Sequence, residues 1–149
     1  MLASDFLCTL SVEVGELVSL GFGPLGERRR VDILGGTFEG PRMKGTVVPG
    51  ADWQLLRKDG VLELDARYAL RDASGALVHV LSQGMRHGPA DVMARLARGE
   101  NVDASSYFFR SVMRFETSAP ALEFLNRTIA VATAERKARK VELTAFAIL

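Results

Sequence analysis

The sequence predicts an all-β fold, a closed or nearly closed antiparallel β-barrel of about eight strands with one short helix. Three observations carry that reading. Apolar residues recur with period two along most of the chain, the spacing that places alternate side chains on one face of a strand. Gly, Pro and Asp-Gly turn signals separate those runs, so neighbouring strands are joined by short connections. Only one stretch carries a helical pattern, which leaves no strand–helix alternation of the kind that builds a parallel sheet. So many short antiparallel strands must hide their edges, and closure into a barrel does so fully; a two-sheet sandwich is the alternative.

The elements follow in order. Phe6, Cys8, Leu10, Val12 and Val14 share one face of the first strand. Gly15, Gly21, Gly23, Pro24 and Gly26 mark a turn-rich connection after it. Extended stretches follow at 28–34, ended by Gly35-Gly36, and at 43–48, ended by Pro49-Gly50. Residues 53–57 lead into Asp59-Gly60, a hairpin turn whose two positions tolerate positive φ. In the strand 61–70, Leu62, Leu64, Ala66, Tyr68 and Leu70 alternate with Glu63, Asp65 and Arg67. A turn at 72–75 returns the chain into 77–81.

Pro89 opens the single helix, Val92 and Leu96 lie one turn apart, and Gly99 ends it. Strand patterns resume at 107–116, 125–132 and 141–148, with a helical turn expected at 120–124. The 149 residues suit one domain, 1–149, with no linker or internal repeat.

Composition excludes several functional classes. Lys and Arg number 19 against 18 Asp and Glu, for a net charge of +1, whereas nucleic-acid binders carry a marked basic excess. The single cysteine, Cys8, permits no internal disulfide and no cysteine-built zinc site, and it reads as a small buried thiol. No basic leader or long uncharged apolar run occurs, so the expectation is a cytoplasmic protein without a membrane partner. Gly21, Gly23 and Gly26 match a G-x-G-x-x-G spacing, but a strand rather than a helix follows and Pro24 removes an amide donor, so the segment reads as a hairpin loop. The basic runs 28–30 and 136–140 read as solvated strand ends. His79, in parity with Leu77 and Leu81, reads as packed, and His87 falls in a loop where it could face a substrate. Neither histidine has metal-binding or triad spacing.

The informative residues are charged ones within strands. Arg67 shares a face with Glu63 and Asp65, and Arg110 shares one with Phe108, Arg114 and Glu116. On pattern alone those faces could look into solvent or into the barrel lumen, where burial costs several kcal/mol per ion unless arginine and carboxylate pair.

The segments Gly35-Gly36-Thr37-Phe38-Glu39-Gly40-Pro41, Pro49-Gly50-Ala51-Asp52-Trp53 and Asp65-Ala66-Arg67-Tyr68 resemble, in that order, the family called domain of unknown function 3237. Tyr107-Phe108-Phe109-Arg110, Phe115-Glu116 and Leu125-Asn126 continue the resemblance to the C-terminus. Phe124 departs from it, standing where a tryptophan is expected, and the segment from Arg86 to Ala104 is longer than usual, which suggests a lid or rim. The resemblance implies a barrel of the allene oxide cyclase and dirigent type. It implies no firm activity.

It also shifts the reading of the polar faces, because charged mid-strand residues at motif positions suit a cavity. The resulting expectation is a cofactor-independent lyase, isomerase or cyclase acting on an apolar aromatic or cyclic small molecule. Asp52 and Glu116 would serve as acid and base, and Arg67 and Arg110 would hold an oxyanion. Phe38, Trp53 and Phe108 would line the walls, Asn126 would orient a carbonyl, and Tyr68 and His87 complete the expected binding set. No metal or cofactor is expected. A non-catalytic ligand-binding barrel and a structural assembly module are the alternatives. If the lumen is partly polar, an apolar face such as Leu62 and Leu64 would look outward and need cover from the helix or a second subunit, hence an expected homo-oligomer.

Overall fold

A computed structural model describes residues 1–149 and shows a closed antiparallel barrel in which eight strands follow one another in chain order. The strands are β1 (Ser4–Gly23), β2 (Gly26–Glu39), β3 (Lys44–Arg57), β4 (Leu62–Asp72), β5 (Leu77–His87), β6 (Phe108–Thr117), β7 (Ile129–Arg136) and β8 (Lys140–Ile148). Pairing of β1 with β8, from Ser4 opposite Ile148 to Glu13 opposite Lys140, closes the ring. The helix α1 (Ala90–Ala97) lies between β5 and β6, and a 3-10 segment, Pro120–Arg127, lies between β6 and β7. No helix is long and apolar enough to cross a membrane.

Most connections obey local turn chemistry. Gly60 and Gly75 adopt positive φ in the hairpins after β3 and β4. The Asp72 carboxylate accepts from the backbone N–H groups of Ser74 and Ala76, which locks the second of these turns. The glycine-spaced segment after β1 is a hairpin, Gly23 pairing with Gly26.

Three elements differ from the sequence reading. β1 does not stop near Val14 but continues through Gly15 to Gly23, with register shifts after Glu13, Val14 and Ser19. Beyond Glu13 it leaves β8 and pairs with β2 alone, becoming an edge strand on which Leu17, Val18, Leu20 and Phe22 are exposed. Gly35 and Gly36 do not end β2. They bend it: pairing with β3 lapses between Ile33 and Thr37, and a Cβ on Gly36 would lie 2.0 Å from the Ser11 carbonyl oxygen. β7 starts at Ile129 rather than Leu125, because the 3-10 segment runs on to Arg127 and buries Leu122 and Leu125.

The apolar parity of the strands points inward. Leu10, Phe38, Val47, Leu70, Val78, Phe115 and Leu125 fill one end of the barrel, and Leu70 and Val78 have no exposed surface. Leu62 is buried and Leu64 lines the interior, so the expectation that these two face outward is overturned. His79 and Leu77 are exposed, contrary to the packed reading of His79. The reason is energetic. Each large aliphatic side chain gains about 1.5–3 kcal/mol on burial, and inverting the parity would also desolvate the charged residues between them.

Candidate functional site

At the opposite end, the inward-facing positions change character. Along β2 the inward series Ile33, Val31 ends in Arg29. β5 runs Val78, Val80, Ser82, Gly84, Arg86, and β7 runs Ala130, Ala132, Ala134, Arg136. Asp52 and Gln54 of β3 and Ser111 and Phe109 of β6 complete the wall, with Leu64, Ala66 and Tyr68 from β4. Together they enclose a cavity of about 110 Å³. Eleven of its 18 lining residues are hydrophobic, and Asp52 is the sole acidic one. An eight-stranded barrel is just wide enough to hold one small ligand in this way.

Asp52 is only 9% exposed. Its Oδ2 accepts from Gln54 Nε2 at 2.9 Å, and its Oδ1 accepts from the Asp65 backbone N–H at 3.1 Å. Burial raises its pKa above the ordinary carboxylate value; the two hydrogen bonds and the nearby Arg86 charge offset this only in part. Tyr68 is buried, and its phenol is pushed upward by desolvation, with the neighbouring Cys8 and Asp52 adding to the effect. Burial likewise pushes the Cys8 thiol up to about 12, so both groups stay protonated at neutral pH.

Three arginines share the cavity lining with this carboxyl. Burial and the adjacent Arg136 charge push Arg86 down to about 10, still protonated at pH 7. Desolvation lowers Arg136 as well, while Asp52 and Tyr107 act against that shift. The Arg86 guanidinium stands 5.4 Å from the Phe109 ring centroid. Tyr107 Oη accepts from the Arg136 backbone N–H at 2.9 Å, tying the start of β6 to the end of β7. Arg29 contacts Glu27 at 3.4 Å, whereas Arg86 and Arg136 make no ion pair. Arg29 Nε, Arg86 Nε, Gln54 Oε1 and Ser111 Oγ are buried without hydrogen-bond partners. Buried polar groups are ordinarily satisfied, so four such atoms around one cavity mark a place built for a polar occupant.

Of the residues singled out from sequence, Asp52 and Tyr68 line this cavity. Phe38 points inward but belongs to the packed apolar end. The others face outward, which corrects the expected lumen. The Arg67 side chain is 57% exposed beside Asp65, and Glu116 is exposed in the register position opposite His79. Asn126 is also outside; its amide accepts from the Thr117 N–H and donates to the Thr117 carbonyl, pinning the 3-10 segment to β6. Trp53, Phe108 and Arg110 do come together, but along an exterior groove, with the His87 ring stacked on Phe108 at 4.8 Å. All of these alternate with the apolar residues, and that parity decides their side of the sheet.

Arg29, Arg86 and Arg136 escaped the sequence reading, two of them because basic runs look like solvated ends. The signal that finds them is their parity with Val31, Ser82 and Ala134. The segment from Arg86 to Ala104, read as a lid or rim, begins at the cavity end of β5 and leads towards β6, and α1 within it buries Val92 and Leu96.

Geometry therefore defines a small closed β-barrel, filled with aliphatic side chains at one end and opening at the other into a pocket with one acid and three arginines. Residues 2–148 match the family described as "Protein of unknown function (DUF3237)", and the chain belongs to that family. It is similar to UPF0311 protein RPA1785 of Rhodopseudomonas palustris, with 36% identity covering 99% of this chain and 97% of the relative. The crystal structure of that protein superposes with a TM-score of 0.94, covering 100% of this chain and 98% of the other. A beta-barrel like protein from Acinetobacter baumannii AYE is 37% identical with a TM-score of 0.87, over 100% and 97% of the two chains. A structure described as an enzyme from Penicillium herquei shares the fold, with a TM-score of 0.76 at 19% identity over 99% of this chain and 95% of that one.

Proposed function

We propose that the barrel is a cofactor-independent enzyme that moves a proton on a small cyclic substrate, in a lyase, isomerase or cyclase type of reaction. The observation that carries this reading is Asp52: a desolvated carboxyl with a raised pKa, sharing a pocket with arginines whose Nε–H groups point at no protein partner. Such a carboxylate is a stronger base than an exposed aspartate once ionised, and a competent acid once protonated. Arg86 and Arg29 supply the fixed N–H donors that hold the enolate or alkoxide formed as the proton leaves carbon or oxygen. Gln54 serves both states of the acid. Its Nε2 donates to the carboxylate as it stands, and an amide flip presents the free Oε1 to the protonated form.

Val12, Val31, Ile33, Leu64 and Phe109 exclude water from the reacting centre, which strengthens every charge interaction there. A catalytic reading suits the fold, since the Penicillium herquei barrel is described as an enzyme. The roles first expected of Glu116, Arg67 and Arg110 pass to Asp52, Arg86 and Arg29.

Isotope exchange tests this without knowledge of the natural substrate. Cyclic ketones and cyclic keto acids incubated with the protein in deuterium oxide should exchange their acidic C–H positions, followed by proton NMR. Asp52→Asn should slow the exchange by about 10²–10⁴-fold, the usual contribution of a positioned base. Binding of a ring compound with no exchange above buffer would replace catalysis by a carrier role.

A further inference from the structure

We infer that the pocket takes a substrate that is already an organic anion, a single-ring compound bearing a carboxylate; this rests on the reading of the pocket as the ligand site. The argument is one of charge. Arg86 and Arg136 line one cavity and have no carboxylate in an ion pair, the Arg136 charge adds to the burial that depresses Arg86, and the one acid in the lining is Asp52. Arg29, whose Nε is also unpartnered, adds a third guanidinium balanced only by Glu27. A neutral ligand leaves the pocket with one uncompensated buried cation, even with Asp52 ionised. Uncompensated ions out of water cost several kcal/mol each.

A carboxylate removes the imbalance and keeps it removed through the reaction. Before proton transfer, ionised Asp52 and the ligand carboxylate offset Arg86 and Arg136. Afterwards the proton lies on Asp52, the electron pair of the broken C–H or O–H bond lies on the substrate oxyanion, and the two guanidiniums still face two negative charges. No oxidant or second reactant is needed. The cavity of about 110 Å³ with 11 hydrophobic lining residues sets the remainder of the ligand. An apolar cavity of about 150 Å³ accepts benzene, so this smaller, open-ended one admits no more than a single ring, with its carboxylate left at the open end. The planar, two-pronged guanidinium of Arg136 or Arg86 is matched to a carboxylate rather than to a lone hydroxyl.

Calorimetric titration of the full-length protein with benzoate, benzyl alcohol and inorganic phosphate tests the inference. Benzoate should bind at least tenfold tighter than its neutral analogue at low ionic strength, phosphate should not compete at equal concentration, and Arg136→Met should lower benzoate affinity tenfold or more. The same substitution removes a charge that the folded protein repels, so the variant should melt no lower than the parent and the loss cannot be laid to unfolding. Arg86→Met provides a second reading of the same effect. Benzyl alcohol binding as tightly as benzoate, unchanged benzoate affinity in both variants, or no benzoate binding at millimolar concentration would each overturn the inference. Tight benzoate binding together with no deuterium exchange on any keto acid would leave the anion site standing and remove only the catalytic role.

Discussion

Asp52 holds its proton more firmly than a free aspartate because the barrel wall takes its carboxylate out of water. Between the ordinary aspartate pKa of about 3.9 and its raised value, the folded protein retains a proton that the unfolded chain has released. Stability therefore falls as pH rises through that window and is level above it. Asp52→Asn lacks this slope, so thermal melts from pH 4 to 8 should show the variant gaining on the parent as pH rises. Parallel melting curves across that range would mean the carboxyl is not desolvated. Residue identity and residue position were unequally legible at this scale. Asp52 and Tyr68 were identified from motif positions, whereas Arg67, Arg110 and Glu116 were assigned to the wrong side of the sheet. Mid-strand charge alone does not tell lumen from solvent; parity with Leu62, Leu70 and Met113, all buried, does.

Strand parity becomes visible as a physical constraint at the level of whole elements. The inward series of β2, β5 and β7 are apolar at one end and finish in an arginine at the other, so the pocket is a property of strand ends rather than of any one motif. The period of two and the turn at Asp59-Gly60 were plain in the sequence. The long arm of β1 and the bend in β2 were not, because glycine both ends strands and curves them. Gly36 separates these roles. With φ at +136° and its would-be Cβ 2.0 Å from Ser11 O, it admits no side chain without moving β1. Gly36→Ala should lose at least about 2 kcal/mol of stability by denaturant unfolding, from backbone strain and the forced shift of the neighbouring strand. A loss below 0.5 kcal/mol would show that the bend is not required for closure.

For the molecule as a whole, closure and filling act together. The ring of eight strands leaves no free edge over the shared span of the barrel, and the aliphatic end supplies the stabilisation that the charged end lacks. Leu70 has no exposed surface, and Leu70→Ala should destabilise the fold by about 2–5 kcal/mol in the same unfolding assay, the range for a buried leucine in a rigid core. A smaller effect would mean that the neighbouring side chains collapse into the vacated space. The architecture itself was the most legible feature, since alternation, turn signals and the lack of a helical rhythm are summed over many residues and tolerate local errors.

The filled end also makes the interior a blind alley. Whatever occupies it must back out past the guanidiniums through which it arrived, ring leading on the way in and charged group leading on the way out. Turnover then depends on how quickly those arginines let go, and a reaction that consumes or masks the anionic group would clear the barrel faster than one that leaves it intact.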